Sequence, residues 1–157
     1  MENQHKYRVV AWWTSGQTGI AKCDSAPNAI HFTAPPQFGG LEGRWTPEDL
    51  LMIALASCFT TTFHAIAADS KFEYTDLQVE AEGTVSKTDP GYCFSEIVIR
   101  PSLTIPDEEL RERANSLLQK AKSLCLISRA LGTGQNFEVK VQIKKQFTGL
   151  SEQCVPQ

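Results

Sequence analysis

The stretch TPEDLLMIALASCFTTTFHAIAAD, residues 46–69, decides how this chain folds. Its first four residues are a helix start. Thr46 suits the N-cap, Pro47 the first helical position, and Glu48 and Asp49 place carboxylates at the positive end of the dipole. From Leu50 to Ala68, nineteen residues then carry no Asp, Glu, Lys or Arg, long enough for a membrane span. The composition speaks against a span. Ser57, Thr60, Thr61, Thr62 and His64 fall in the middle and second half, where a spanning helix is most apolar, and no basic cluster flanks either end. A helix apolar on all sides is buried somewhere. A 157-residue protomer has little material to surround one about 33 Å long, so a dimer core is its natural burial place.

Upstream, Lys6 to Thr14, rich in Val, Tyr and Trp, and Thr18 to Lys22 read as a hairpin turning at Ser15-Gly16-Gln17. Ala29 to Ala34 reads as a third strand. The run Pro35-Pro36-Gln37-Phe38-Gly39-Gly40 is a loop with more apolar surface, through Phe38 and Trp45, than a linker needs. Downstream, residues 73–105 predict a long hairpin turning at Asp89-Pro90-Gly91. Residues 106–132 predict a second helix with a break near Ser123-Leu124-Cys125, and 137–148 a terminal strand. Residues 1–45 are then strands and loop, 46–69 the Cys helix, and 1–157 a single domain. The fold class is α+β, with antiparallel sheets packed on two main helices.

Fifteen Lys and Arg against eighteen Asp and Glu leave a net charge of −3 with no run of one sign, which gives no electrostatic grip on nucleic acid or an anionic membrane. Five cysteines, Cys23, Cys58, Cys93, Cys125 and Cys154, are odd in number and lack the paired spacing of a zinc site, so no metal is expected. The start MENQHKYRVV has no basic segment leading into an apolar one, and a reducing cytoplasm is the expected location. Free Cys is usually an inert small hydrophobe. Two have unusual neighbours: Cys58 precedes three threonines, and Cys125, at the helix break, has Lys120 and Lys122 before it and Arg129 after it. Positive charge and a helix start lower a thiol pKa. A Cys58–His64–Asp69 hydrolase triad fails on geometry, since six helical residues turn His64 about 240° away from Cys58.

Thr46-Pro47-Glu48-Asp49-Leu50-Leu51, then Ala56-Ser57-Cys58-Phe59, and 67 residues after Cys58 the segment Lys120-Ala121-Lys122-Ser123-Leu124-Cys125-Leu126-Ile127-Ser128-Arg129-Ala130-Leu131 together resemble the OsmC/Ohr family of thiol peroxidases. The resemblance implies an intertwined homodimer with sites at the subunit interface. It implies that Cys58 is the peroxidatic thiolate acting on organic hydroperoxides, Cys125 the resolving thiol and Glu48 the active-site carboxylate. It further implies a role in oxidative stress, no bound cofactor, and a reducing dithiol of the lipoyl type as partner. The chain departs from the family at its activating Arg: Gln17 stands in the hairpin position of one branch and Gln37 near the loop position of the other. Arg44 is the nearby substitute, Phe38 and Trp45 are the expected substrate walls, and Leu126 stands where Pro is common. The alternative is a catalytically weak relative that binds a small hydrophobic ligand at the dimer interface.

Overall fold

A computed structural model describes residues 4–144. The end of the expected terminal strand, the tail from Gly149 and Cys154 lie outside the described residues. The architecture is α+β, with two sheets and helices. The chain divides into two compact units, 1–55 and 56–157, with the boundary inside a helix.

The first unit holds an antiparallel sheet in the order β1 (Val9–Ser15), β2 (Thr18–Cys23), β3 (Ala26–Phe32). Gly16, at φ +59°, supplies the left-handed residue that turns β1 into β2. Thr33, fully buried just after β3, organises the loop that follows. Its Oγ1 donates to the Gln17 carbonyl at 2.7 Å and accepts from Leu41 N–H at 3.1 Å, and its N–H donates to the Trp45 carbonyl at 2.9 Å. Gly40 lies so close to the Ala34 carbonyl that a Cβ there would stand 1.5 Å from the oxygen. One threonine thus ties the hairpin turn to the loop bearing Phe38, Arg44 and Trp45.

Helix α1 spans Pro47–Asp69. Its start is a reciprocal cap. Asp49 N–H donates to Thr46 Oγ1 at 3.1 Å, while Asp49 Oδ2 accepts from Thr46 N–H at 3.1 Å and Thr46 Oγ1 at 2.7 Å. Two groups that the helix end would leave without partners are satisfied, with Asp in the place that Glu or Gln takes in the usual box. Only 28% of its apolar stretch is buried within the chain. Leu55, Phe59, Phe63, Ile66 and Ala67 are buried at helical spacing, whereas Ile53 is 43% exposed.

The second unit is built on a sheet whose central strand is β5 (Tyr92–Ile105), with β4 (Asp76–Lys87) antiparallel on one side. After β5 the chain crosses through α2 (Arg111–Leu124) and α3 (Leu126–Ala130) and returns as β6 (Gln135–Phe137) and β7 (Lys140–Ile143), both parallel to β5. A helical crossover between neighbouring strands gives parallel pairing, so this edge departs from the all-antiparallel expectation. The terminal strand is also two strands, not one. β6 stops opposite Ile99 and β7 begins opposite Ser102. Between them sits Pro101. The backbone groups of Ile97, Ile99 and Ile105 point to this edge, as the bonds Ile97 N–H to Gly134 O, Glu138 N–H to Ile99 O and Lys144 N–H to Ile105 O show. By the two-residue period Pro101 points there too, without an N–H to give, and the ladder is interrupted at that residue.

On β5, Ile97, Ile99, Pro101, Leu103 and Ile105 are buried. Phe59, Phe63, Ile66 and Ala67 of α1 and Ala114, Leu117, Leu118 and Ala121 of α2 are buried in the same unit. Phe59 stacks at a tilt on Phe137, centroids 5.6 Å apart, and Phe63 meets Tyr74 edge-on at 5.4 Å. Arg111 donates to the Val141 carbonyl at 2.7 Å, tying α2 to β7.

Thr46→Ala removes a cap that closes in both directions and is expected to lower stability by about 1 kcal/mol in urea unfolding. Thr46→Ser is expected to retain most of it. Equal stability of the alanine variant and the parent would show that the cap contributes nothing.

Candidate functional site

The break between α2 and α3 makes the site. Cys125 closes α2, its N–H donating to Ala121 O at 2.9 Å, and then takes an extended backbone at φ −60°, ψ 112°. From there α3 starts anew, so the N–H groups of Leu126, Ile127 and Ser128 have no carbonyl one turn earlier to bond. They turn to sulfur instead. Cys58, half-buried at the middle of α1, accepts from the N–H groups of Ile127 and Leu126, from the Cys125 thiol and from the Thr62 hydroxyl one turn along its own helix. Cys125 is fully buried and accepts from the N–H groups of Ser128 and Ile127. Both thiols are free and within hydrogen-bonding reach of each other.

The two sulfurs therefore differ in chemistry. Burial pushes the Cys58 thiol up, but the Ile127 amide, the Cys125 thiol, the Leu126 amide and Thr62 outweigh it, and its pKa lies below the usual thiol value. For Cys125 burial prevails: despite the Ser128 and Ile127 amides, desolvation and the nearby Cys58 hold its pKa above the usual value. Cys58 is thus the more readily ionised of the two thiols, an unequal pair suited to nucleophilic attack by Cys58.

Of the three threonines that follow Cys58, Thr60 and Thr61 turn back on the helix, donating to Ala56 O at 2.9 Å and Ser57 O at 3.0 Å; Thr62 serves the sulfur. Of the cations around Cys125, Lys120 and Arg129 are exposed, and Lys122 is the one that turns inward. Its Nζ donates to Ser128 Oγ at 2.5 Å and Gln135 Oε1 at 2.7 Å. His64 is exposed and bonds Tyr74 through Nδ1 at 3.1 Å, apart from any triad. The amides of Leu126 and Ile127 carry no mark of their task in sequence; Ser128 and Gln135 became legible only once the chain was folded.

The other expected site residues stand in the first unit. Glu48 lies in the first turn of α1, its Oε2 buried with no hydrogen-bond partner. A buried carboxylate oxygen left without a donor is costly, so this atom is a place where a donor belongs. Arg44 and Trp45 are exposed on the loop, and Phe38 is 43% exposed at its 3₁₀ turn. Among the described residues no ion pair joins Arg44 to Glu48. No group of His, Cys, Asp and Glu able to hold a metal occurs among them.

An α+β chain with a half-buried thiol on a central helix, facing a second thiol at a helix break, defines a two-cysteine protein class. The family model described as OsmC-like protein matches residues 40–140, and the chain belongs to that family. It is 27% identical over 143 residues to the uncharacterized protein YmaD of Bacillus subtilis, covering 89% of this chain and 95% of that one. It is 26% identical over 95 residues to peroxiredoxin OsmC of Escherichia coli, covering 60% of this chain and 65% of that protein. The crystal structure of an organic hydroperoxide resistance protein OsmC from Legionella pneumophila superposes with a TM-score of 0.71 at 21% identity, over 88% of this chain and 99% of that one, and shares its fold.

Leu126 has an N–H that a proline would lack, while proline is well tolerated at the first position of a helix. Leu126→Pro is expected to raise the pH midpoint of Cys58 alkylation, with Cys23, Cys93, Cys125 and Cys154 replaced by Ser in both parent and variant. An unchanged midpoint would remove this amide from the account of the lowered pKa.

Proposed function

We propose that the protein is a thiol-dependent peroxidase of organic hydroperoxides, with Cys58 peroxidatic and Cys125 resolving. The observation that carries this reading is the hydrogen bond between the two sulfurs, one with its pKa lowered and the other with its pKa raised. In the first step the Cys58 thiolate attacks the terminal oxygen of the hydroperoxide. An S–O bond forms, the O–O bond breaks, and the alkoxide takes a proton to leave as alcohol, with Cys58 oxidised to the sulfenic acid. Cys125, as thiolate, then attacks the Cys58 sulfur; the S–S bond forms and hydroxide leaves, protonated to water. Trapping the sulfenic acid by a thiol already in reach protects it from further oxidation. A dithiol of the lipoyl type reduces the disulfide through a mixed disulfide, becoming a cyclic disulfide itself and returning both cysteines to thiols.

Two copies of the chain form the working unit in this reading. Most of the apolar stretch of α1 is unburied within one chain, and Val9, Val10, Trp12 and Trp13 of β1 are exposed. Apolar surface of that extent is normally covered by a partner, and a second copy covers it here. Glu48 acts as the active-site carboxylate, Arg44 supplies the cation that meets its unpartnered oxygen, and Phe38 and Trp45 line the substrate channel. In this reading the protein acts in the cytoplasm, against peroxides arising in oxidative stress.

Turnover of an alkyl hydroperoxide with a dithiol reductant is expected to vanish in Cys58→Ser. In Cys125→Ser it should fall to about a single turnover, with Cys58 ending as sulfinic acid by mass spectrometry. Arg44→Gln is expected to reduce the rate about tenfold or more, the scale on which loss of a stabilising charge acts. Full activity of Cys58→Ser would sink the peroxidase reading. An inactive parent whose Cys58 titrates as an ordinary thiol would favour the non-enzymatic module that binds a small hydrophobic ligand.

A further inference from the structure

Behind the thiol pair lies a polar cluster that the proposed chemistry does not use directly. Ser128, at 4% exposure, has every polar group engaged. Its N–H donates to the Cys125 sulfur, its Oγ accepts from Lys122 Nζ and donates to Gln135 Oε1, and its carbonyl accepts from Gln135 Nε2 at 2.8 Å. Gln135 is held in place by the sheet, since it begins β6 and pairs with Ile97 of β5. Lys122 donates to both Ser128 and Gln135. Half-buried, it forms no ion pair with a carboxylate among the described residues. A half-buried ammonium without a carboxylate is an unusual choice for a merely structural tie, because a neutral donor would avoid the desolvation.

We propose that Lys122 is a positioning residue of the thiol pair: through Ser128 and Gln135 it locks the turn whose amides hold both sulfurs, and it keeps a cation beside Cys125 for the moments when that sulfur is a thiolate. This rests on the peroxidase reading for its place in a cycle. Cys125 becomes a thiolate twice there. It must lose its proton to attack the Cys58 sulfenic acid, and it receives the S–S electron pair when a reducing dithiol attacks the Cys58 sulfur. Cys58 of α1 acts on the Cys125 thiol, and Cys125 in turn acts on Lys122 of α2. Burial lowers the lysine pKa, and the Cys125 thiolate acts in the opposite direction, raising it. That attraction is mutual: a cation the thiolate stabilises also stabilises the thiolate, offsetting part of the burial that holds Cys125 protonated.

The test uses the full chain with Cys23, Cys93 and Cys154 replaced by Ser and compares Lys122→Met, Lys122→Gln and Lys122→Arg. Ultraviolet thiolate absorbance against pH, in a Cys58→Ser background, reads Cys125 directly. The rate at which dithiothreitol opens the Cys58–Cys125 disulfide at neutral pH reads its leaving ability. Lys122→Met and Lys122→Gln are expected to raise the Cys125 midpoint by about one pH unit and slow disulfide opening about tenfold. Lys122→Arg should recover both. Where Lys122→Met loses its native circular dichroism, the polar Lys122→Gln carries the comparison alone. An unshifted midpoint in a folded Lys122→Gln protein, or recovery by Gln as complete as by Arg, would overturn the proposal. Neither readout involves a peroxide. A parent inactive on alkyl hydroperoxides would therefore sink the enzymatic reading while leaving the lysine's effect on the thiols measurable, and unshifted variants of an active parent would overturn the lysine alone.

Discussion

The site depends on a helix that stops one residue too soon. At Cys125 the backbone leaves the helical region, and the chain starts again at Leu126. Had α2 run on without a break, the N–H groups of Leu126, Ile127 and Ser128 would have bonded carbonyls one turn back. The break frees them, and Cys58 and Cys125 accept them in place of carbonyls. Backbone amides cannot be titrated and do not swing away, so they present fixed partial positive charge to sulfur at any pH. That is a different means of activating a thiol from a nearby guanidinium, and it suits a chain with Gln17 and Gln37 at the two positions where the resemblance leads one to look for Arg.

Everything around that turn holds it still. β5 fixes β6, β6 fixes Gln135, and Gln135 with Lys122 fixes Ser128. On the other side of the sulfurs, α1 is anchored in the same unit by Phe59 on Phe137 and Phe63 on Tyr74. A misplacement of a few tenths of an ångström between two sulfurs matters for disulfide chemistry, whose geometry is narrow. A sheet-anchored polar cluster on one side and aromatic packing on the other supply that precision. Pro101 plays a part at a distance: by interrupting the ladder it separates β6, which serves the site, from β7, which receives Arg111.

The relation of this chain to its relatives is one of fold and family, with identities of 26–27% to the matched curated proteins. At that distance the surroundings of the thiols bear more on function than overall likeness. Here the surroundings include an amide at Leu126, an inward lysine at Lys122 and a carboxylate oxygen of Glu48 that still wants a donor. The first two act within the unit that carries both thiols. The third is matched by a loop whose Arg44 is exposed and makes no ion pair with it, a loop held in place by buried Thr33.

Thr46, Pro47 and Asp49 mark the start of α1 because capping is local: the groups that satisfy one another lie within three residues. The alternation of β4 and β5 and the helical spacing of Leu117, Leu118 and Ala121 are legible for the same reason, as is the turn at Gly16. The pairing of Cys58 with Cys125 follows in sequence only from resemblance, since 67 residues separate them and no periodicity links them. What the tertiary structure alone decided is which donors meet the sulfurs. Thr62 meets the Cys58 sulfur while Thr60 and Thr61 donate to backbone carbonyls, Lys122 turns inward while Lys120 and Arg129 do not, and the last strands run parallel to β5 and split at Pro101. These outcomes depend on which way a helix face is turned and which edge a crossover returns to, and such orientations are settled by packing between segments far apart in the chain.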